Sequence, residues 1–160
     1  MTPSQQTEWP PLLCPGLHPM SLADIRQLCV DPFPLSRTRA DIMDGLGILT
    51  VKLMNSNIKG QLWVDRSFLT QKINPGDADI VLSVSHLLYD NGTTQQKSTL
   101  EWMATEDLKP VYHCHNFLFL EYPTSHSLHG EGEKMKDYWL NWFGKSRSKQ
   151  KKGIAVIELR

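Results

Sequence analysis

The chain has 160 residues, of which 40% are apolar and 21% charged, as in an ordinary globular protein large enough for one compact core. Lysine plus arginine and aspartate plus glutamate balance at 17 each, so the net charge gives no evidence for binding to nucleic acid or to a membrane surface. Three widely spaced cysteines without a Cys-x-x-Cys pair argue against a disulfide framework, and no apolar run reaches the roughly 20 residues of a spanning helix. We therefore expect a cytoplasmic protein without a membrane partner.

The first part of the chain predicts an extended segment followed by a short helix. We expect one domain over residues 1–160, with residues 1–20 extended because half of the ten prolines lie there. Ser21 is a good N-cap and predicts a helix over Leu22–Cys29, which the prolines after Asp31 stop.

A longer helix is predicted from a cap at Ser36 to about Asn55, since its apolar residues recur every three to four positions. Gly45 and Gly47 lie in its interior, where glycine lowers helix propensity by about 1 kcal/mol relative to alanine. We interpret them as positions at which the helix packs closely on a sheet.

The central stretch, residues 61–84, predicts two strands joined by a polar hinge. The strands cover residues 61–68 and about 78–83, and their short connection makes them antiparallel neighbours. Because side chains on a strand alternate between its faces, Asp77 and Asp79 lie on one face together with Val81. Two carboxylates on one face near a turn can share a divalent cation, and Ser67 would lie nearby. The alternative is a polar strand start in a Pro-Gly turn.

The remaining elements complete an α/β fold. We predict a helix over Thr94–Thr105, a strand over residues 111–122, a helix over residues 134–143 and a final strand over residues 154–159. This order predicts a mixed sheet with helices packed on it. His113 and His115 share one face of the third strand and can also chelate a metal, although no spacing typical of a zinc site occurs. The basic run over residues 145–152 is either a solvated loop or a contact for nucleic-acid phosphate.

Two segments of the central stretch carry a resemblance. Leu62-Trp-Val-Asp-Arg-Ser-Phe-Leu-Thr-Gln-Lys, followed by Pro75-Gly-Asp-Ala-Asp-Ile-Val-Leu, resembles the signature of the nucleotidyltransferase superfamily that includes DNA polymerase beta. That signature is a Gly-Ser at a strand end, about ten residues, and then Asp-x-Asp. More narrowly, the stretch resembles small bacterial nucleotidyltransferase-like proteins with a Trp-Val-Asp-Gly-Ser-Phe-x-Thr-x-Lys motif and a Pro-Gly-Asp-x-Asp motif.

The resemblance implies a minimal nucleotidyltransferase-like fold that moves a nucleotide from an NTP to a protein or RNA hydroxyl. It implies that Asp77 and Asp79 are catalytic ligands of Mg²⁺ (or Mn²⁺), since hard oxygen ligands suit these ions. It further implies that Ser67 holds phosphate, with Arg66 or Lys72 as additional contacts. A toxin–antitoxin or phage-defence setting, with a protein partner from the same operon, is implied as well.

Two residues depart from the family pattern. Arg66 stands where the signature has glycine, and by register His115 stands where the third carboxylate is expected. Imidazole suits Mn²⁺ or zinc better than Mg²⁺. The competing hypothesis is therefore a catalytically degenerate nucleotidyltransferase fold that is retained as a binding or assembly subunit.

Overall fold

The computed structural model describes residues 8–146 and 148–160 as an α/β fold with a five-stranded mixed sheet and helices on both faces. The strand order is β1-β5-β2-β3-β4. The pairs β1–β5 and β3–β4 are parallel, whereas β5–β2 and β2–β3 are antiparallel. The elements in chain order are β1 (Gly16–Pro19), α1 (Leu22–Cys29), α2 (Arg39–Asn55), β2 (Gly60–Asp65), a 3-10 helix (Arg66–Leu69), β3 (Ala78–Ser85), α3 (His86–Asn91), α4 (Thr94–Thr105), α5 (Lys109–Tyr112), β4 (Cys114–Glu121), α6 (His129–Gly144) and β5 (Gly153–Leu159).

The sheet separates two apolar cores. The larger core lies between one sheet face and the helices α1, α2 and α4, and includes Ile80 and Leu82 of β3. The smaller core lies under α6, where Trp63 and Val81 meet Phe143. The alternation predicted for β3 is thus confirmed, and it places Asp79, two residues before Val81, on the α6 side. In the described ranges, no helix is both long and apolar enough to cross a membrane.

The N-terminal segment differs from the prediction. Residues 1–7 of the segment lie outside the part of the chain that the structure describes. Gly16–Pro19 form an edge strand in parallel register with β5, which the sequence did not predict. Further backbone bonds join this segment to the chain that follows β2, since Gln71 N donates to the Pro10 carbonyl at 2.9 Å.

Several predicted boundaries were wrong, each for a local reason. The helix α2 begins at Arg39, although the Ser36 hydroxyl still accepts hydrogen bonds from the N–H groups of Thr38 and Arg39. The third predicted strand begins at Cys114, because Lys109–Tyr112 forms a helical turn that ends with His113 in the left-handed region at φ 56°. The helix α6 begins at His129, five residues earlier than predicted, and Gly130 and Gly132 therefore lie within its first turns.

Gly45 permits a close helix approach, whereas Gly47 does not. A Cβ on Gly45 would lie 2.0 Å from the carbonyl oxygen of Tyr112, so α2 packs against α5 there rather than against the sheet. A Cβ on Gly47 would have no heavy atom within 4 Å. The interpretation of Gly47 as a packing position was therefore wrong.

We expect opposite effects when these two glycines are changed to alanine. Gly45→Ala should lower the free energy of unfolding by about 1–3 kcal/mol, because the methyl group forces α2 away from α5. Gly47→Ala should raise it by up to about 1 kcal/mol, the helix-propensity difference. Denaturant unfolding of both variants tests this, and equal effects would contradict the assigned packing.

Candidate functional site

Three neighbouring strands carry polar side chains at the same level of the sheet. Asp65 at the end of β2 lies directly opposite Asp79 of β3, and Asp79 lies beside His115 of β4. Side chains that are opposite one another in a sheet share a face, so these three form a row on the α6 side. We call them the polar row. The register of β3 with β4 thus brings His115, the residue at the expected position of the third carboxylate, beside Asp79.

The polar row borders a cleft of about 380 Å³ at this end of the sheet. All six residues singled out from the sequence line it, and they are Arg66, Ser67, Lys72, Asp77, Asp79 and His115. The cleft has further lining residues that were not predicted as site residues, although three of them belong to the basic run over residues 145–152: Glu8, Trp9, Pro11, Thr70, Lys109, Ser146, Gln150 and Lys152. The sequence-derived candidates therefore lie together in one cleft.

Asp77, Asp79 and His115 converge closely enough to bind one ion. One ligand atom from each residue lies within 4.8 Å of the other two. Basic side chains already neutralise both carboxylates: Lys109 Nζ lies 2.9 Å from Asp77 Oδ2, and Arg66 Nε lies 3.3 Å from Asp79 Oδ2. His115 Nδ1 lies 3.5 Å from Asp79 Oδ1. Within the described ranges, these three residues form the one such group, so the histidine-rich zinc alternative has no geometric support there.

The electrostatics of the cleft follow from this crowding. Burial, and then the negative charge of Asp77, raise the pKa of Asp79, while Arg66, His115 and Lys109 act in the opposite direction. The hydrogen bond and the charge of Asp77 raise the pKa of Lys109. Two carboxylates held this close favour a positively charged partner, whether a side chain or a metal ion.

Arg66 occupies a backbone conformation that favours glycine. Its φ is 74°, in the left-handed region, at the point where β2 turns into the 3-10 helix. Its side chain is held on both sides, since Nη1 donates to the Trp142 carbonyl at 3.2 Å and the guanidinium lies 4.8 Å from the Trp142 ring. A strained residue held by such contacts is typical of functional sites. Arg66 thus keeps the backbone conformation of a glycine, while its side chain pairs with Asp79.

Ser67 is in the cleft, but its local structure was predicted wrongly. The strand β2 ends at Asp65, and Ser67 belongs to the 3-10 helix Arg66–Leu69 instead of a strand end. The Ser67 carbonyl accepts a hydrogen bond from the Thr70 hydroxyl at 2.8 Å, which closes this turn. The turn presents Ser67 at the same end of the sheet as Asp79.

A buried arginine, Arg39, holds in place the segment that carries Ser67 and Lys72. We call this segment, residues 66–76, the site loop. Arg39 is fully buried, and its guanidinium lies 3.8 Å from the Phe33 ring. It donates hydrogen bonds to the main-chain carbonyl groups of Cys29, Phe68, Thr70 and Lys72. A guanidinium suits this role because its donors lie in one rigid plane. Arg39 therefore positions one wall of the cleft.

Asp65 is the deepest carboxylate of the polar row. It is fully buried, neither of its oxygens makes a hydrogen bond of good geometry, and Lys152 Nζ lies 3.4 Å from Oδ1. Burial raises the pKa of Asp65 to about 7, although the positive charge of Lys152 opposes this shift. Asp65 could have been found from the predicted strand pairing, because the antiparallel register of β2 with β3 places it opposite Asp79.

The raised pKa of Asp65 predicts a pH-dependent stability. Since the folded chain holds this proton more tightly than the unfolded chain, the free energy of unfolding should fall as pH rises from about 4 to 7. Between pH 5 and pH 7 the expected loss is about 2–3 kcal/mol. Asp65→Asn should flatten this slope in denaturant titrations at several pH values. An unchanged slope in the variant would contradict the assignment.

The fold and the cleft define a class: an α/β protein with a carboxylate–imidazole cluster at one sheet end, surrounded by basic side chains. Residues 6–158 match DUF6932, a family of unknown function, and the chain belongs to that family. No curated protein and no solved structure matches.

Proposed function

We propose that the cleft binds a nucleoside triphosphate together with a divalent cation and transfers the nucleotidyl group to a protein or RNA hydroxyl. The acceptor oxygen would bond to the α-phosphorus, the α–β phosphoanhydride bond would break, and pyrophosphate would leave. The observation that carries the proposal is the convergence of Asp77, Asp79 and His115 within 4.8 Å beside Arg66 and Lys72. Carboxylates suit the cation, and guanidinium and ammonium groups suit the phosphates. The sequence resemblance to nucleotidyltransferases supports the same proposal.

The donor set fits a divalent cation. Asp77, Asp79 and His115 would hold it, and because one donor is an imidazole we expect Mn²⁺ to bind more tightly than Mg²⁺. When bound, the ion would neutralise charge on the phosphates and lower the pKa of an acceptor hydroxyl. The Lys109 side chain is 52% exposed, and an exposed ion pair is worth only about 0–1 kcal/mol, so the ion can displace it from Asp77.

The other cleft residues would bind and orient the nucleotide. Lys109, once displaced, and Lys72 would contact phosphate oxygens, while Arg66 stays fixed between Asp79 and Trp142. The 3-10 turn would present the Ser67 hydroxyl as a hydrogen-bond donor to a phosphate oxygen. The proposal places the protein in the cytoplasm, where NTP is available, with a partner from the same operon in a toxin–antitoxin or phage-defence system.

Labelled NTPs test the proposal directly. Purified chain is incubated with each α-labelled NTP and either Mn²⁺ or Mg²⁺, with total RNA and protein as acceptors. We expect label to be transferred with Mn²⁺ and to be lost in the variant that carries both Asp77→Asn and Asp79→Asn. Absence of transfer under both metals, with every NTP, would count against catalysis.

A second candidate rests on a specific observation. The ion pairs of Asp77 with Lys109 and of Asp79 with Arg66 neutralise the site without a metal, as a degenerate binding or assembly subunit would require. The variant that carries both Arg66→Gly and His115→Asp restores the pattern of the superfamily signature. If the chain is degenerate, wild type should bind nucleotide without transferring it, and the restored variant should gain Mg²⁺ binding. Transfer by the wild type would exclude this candidate.

A further inference from the structure

An exposed aromatic pair lies on the last turns of α6. Tyr138 is 53% exposed and Trp142 is 44% exposed, and their rings are nearly parallel, with 14° between planes and 6.3 Å between centroids. The two residues are four positions apart, so they share one face of the helix. The buried residues Trp139 and Phe143 of the same helix pack in the smaller core. The aromatic pair therefore faces away from the core that holds α6.

This aromatic pair is joined directly to the cleft. The Trp142 ring lies 4.8 Å from the guanidinium of Arg66, and the Trp142 carbonyl accepts a hydrogen bond from Arg66 Nη1. Arg66 itself lines the cleft and pairs with Asp79. A chain lying on Tyr138 and Trp142 would therefore lie beside Arg66 at the border of the cleft.

A lysine-bearing hairpin borders the same surface. Lys145 and Lys151 face each other in an antiparallel bridge, and Lys152 N donates to the Gly144 carbonyl at 2.9 Å. Lys149 and Lys151 are exposed, while Ser146 and Gln150 line the cleft. We call this turn, without Arg147, the basic hairpin (residues 144–146 and 148–153). The basic hairpin follows directly on α6 and carries positive charge at the border of the cleft.

We propose that the acceptor bound by this protein is a single-stranded nucleic acid, which lies on the aromatic pair and along the basic hairpin. As the acceptor of the transfer, this strand rests on the proposed function. Bases stack on exposed aromatic rings in a sequence-tolerant way, and lysines attract the phosphates that link the bases. The basic hairpin directly follows α6, and its exposed lysines complement the phosphates of a strand, so the charge favours a strand over an apolar protein surface.

The test uses binding alone, in buffer with EDTA and without NTP. Fluorescently labelled single-stranded RNA and DNA of about 12 nucleotides are titrated with the full chain. Tyr138→Ala should weaken binding at least about five-fold, and Tyr138→Phe should restore it, because a phenyl ring still stacks. Tyr89→Ala is the matched control, since Tyr89 is 40% exposed on α3. A stronger effect on RNA than on DNA, or the reverse, identifies which strand is bound.

The lysines give an independent measurement. The variant with both Lys149→Ala and Lys151→Ala should reduce the slope of log affinity against log salt by about 1.4. Lys59→Ala is the control, because Lys59 is exposed and directly precedes β2, at the end of this strand opposite to Asp65 and the cleft. No strand binding, or affinities unchanged by Tyr138→Ala and by the lysine pair, would overturn the inference. So would a self-association of the chain that Tyr138→Ala abolishes in sedimentation without any strand binding.

Failure of this inference can be told apart from failure of the proposed function. The variant with both Asp77→Asn and Asp79→Asn should still bind the strand, because neither carboxylate contacts the aromatic pair. Strand binding without nucleotidyl transfer would leave the inference standing and sink the proposed function. Transfer to protein alone, with no strand binding, would overturn the inference and leave the proposed function standing.

Discussion

Replacing both Asp77 and Asp79 by asparagine should weaken Mn²⁺ binding by more than about 100-fold in calorimetric titration. Loss of residues that only support metal ligands already costs about 10–100-fold in affinity, and here two of three ligands change. We expect the variant to stay folded. Burial, and then the negative charge of Asp77, raise the pKa of Asp79, and an uncharged asparagine avoids both unfavourable effects.

The matched control is Asp44→Asn. Asp44 has a 64% exposed side chain and pairs with Arg26 at 2.9 Å, outside the cleft. Mn²⁺ affinity should be unchanged in this variant. If Asp44→Asn weakens binding as much as the double variant does, the ion is attracted by surface charge in general and not by the cleft.

Arg39→Ala should lower the free energy of unfolding by about 3–5 kcal/mol, the largest single-residue effect we expect. The change leaves a cavity in place of the buried guanidinium, and the carbonyl groups of Phe68, Thr70 and Lys72 lose their hydrogen-bond donor. Because these carbonyl groups belong to the site loop, the variant should also weaken nucleotide binding. Denaturant unfolding and nucleotide titration measure the two effects separately.

Two variants test the cause of that loss. Arg37→Ala removes an exposed arginine two residues away and should change the free energy of unfolding by less than about 0.5 kcal/mol. Arg39→Lys keeps the charge, yet one ammonium cannot donate to carbonyl groups in a plane as a guanidinium does. Full stability of Arg39→Lys would show that charge, and not the planar fork of donors, holds the site loop.

Local signals determined the elements that sequence reasoning predicted best. The bounds Leu22–Cys29 and Thr94–Thr105 were both predicted as the structure has them. Each helix begins with a capping box, from Ser21 and Asp24 in α1 and from Thr93 and Gln96 in α4. The strand β1 was missed because it depends on pairing with β5 at the far end of the chain.

The site was predictable where strand register decides it. The antiparallel pairing of β2 with β3 and the parallel pairing of β3 with β4 follow from the element order, and they bring Asp79 and His115 together. Lys109 and Lys152 could not be predicted, because one lies on a helical turn and the other on a loop that only the folded chain brings to the cleft. No sequence motif marks Arg39, because it holds the site loop through hydrogen bonds to carbonyl groups up to 33 residues away.

The metal site is the central claim, and electron paramagnetic resonance of bound Mn²⁺ tests it most directly. We expect the wild-type chain to bind a single Mn²⁺ whose spectrum shows coupling to a histidine nitrogen, and His115→Gln to remove this coupling. A wild-type chain that binds no stoichiometric Mn²⁺, or a nitrogen coupling that persists in His115→Gln, would contradict it.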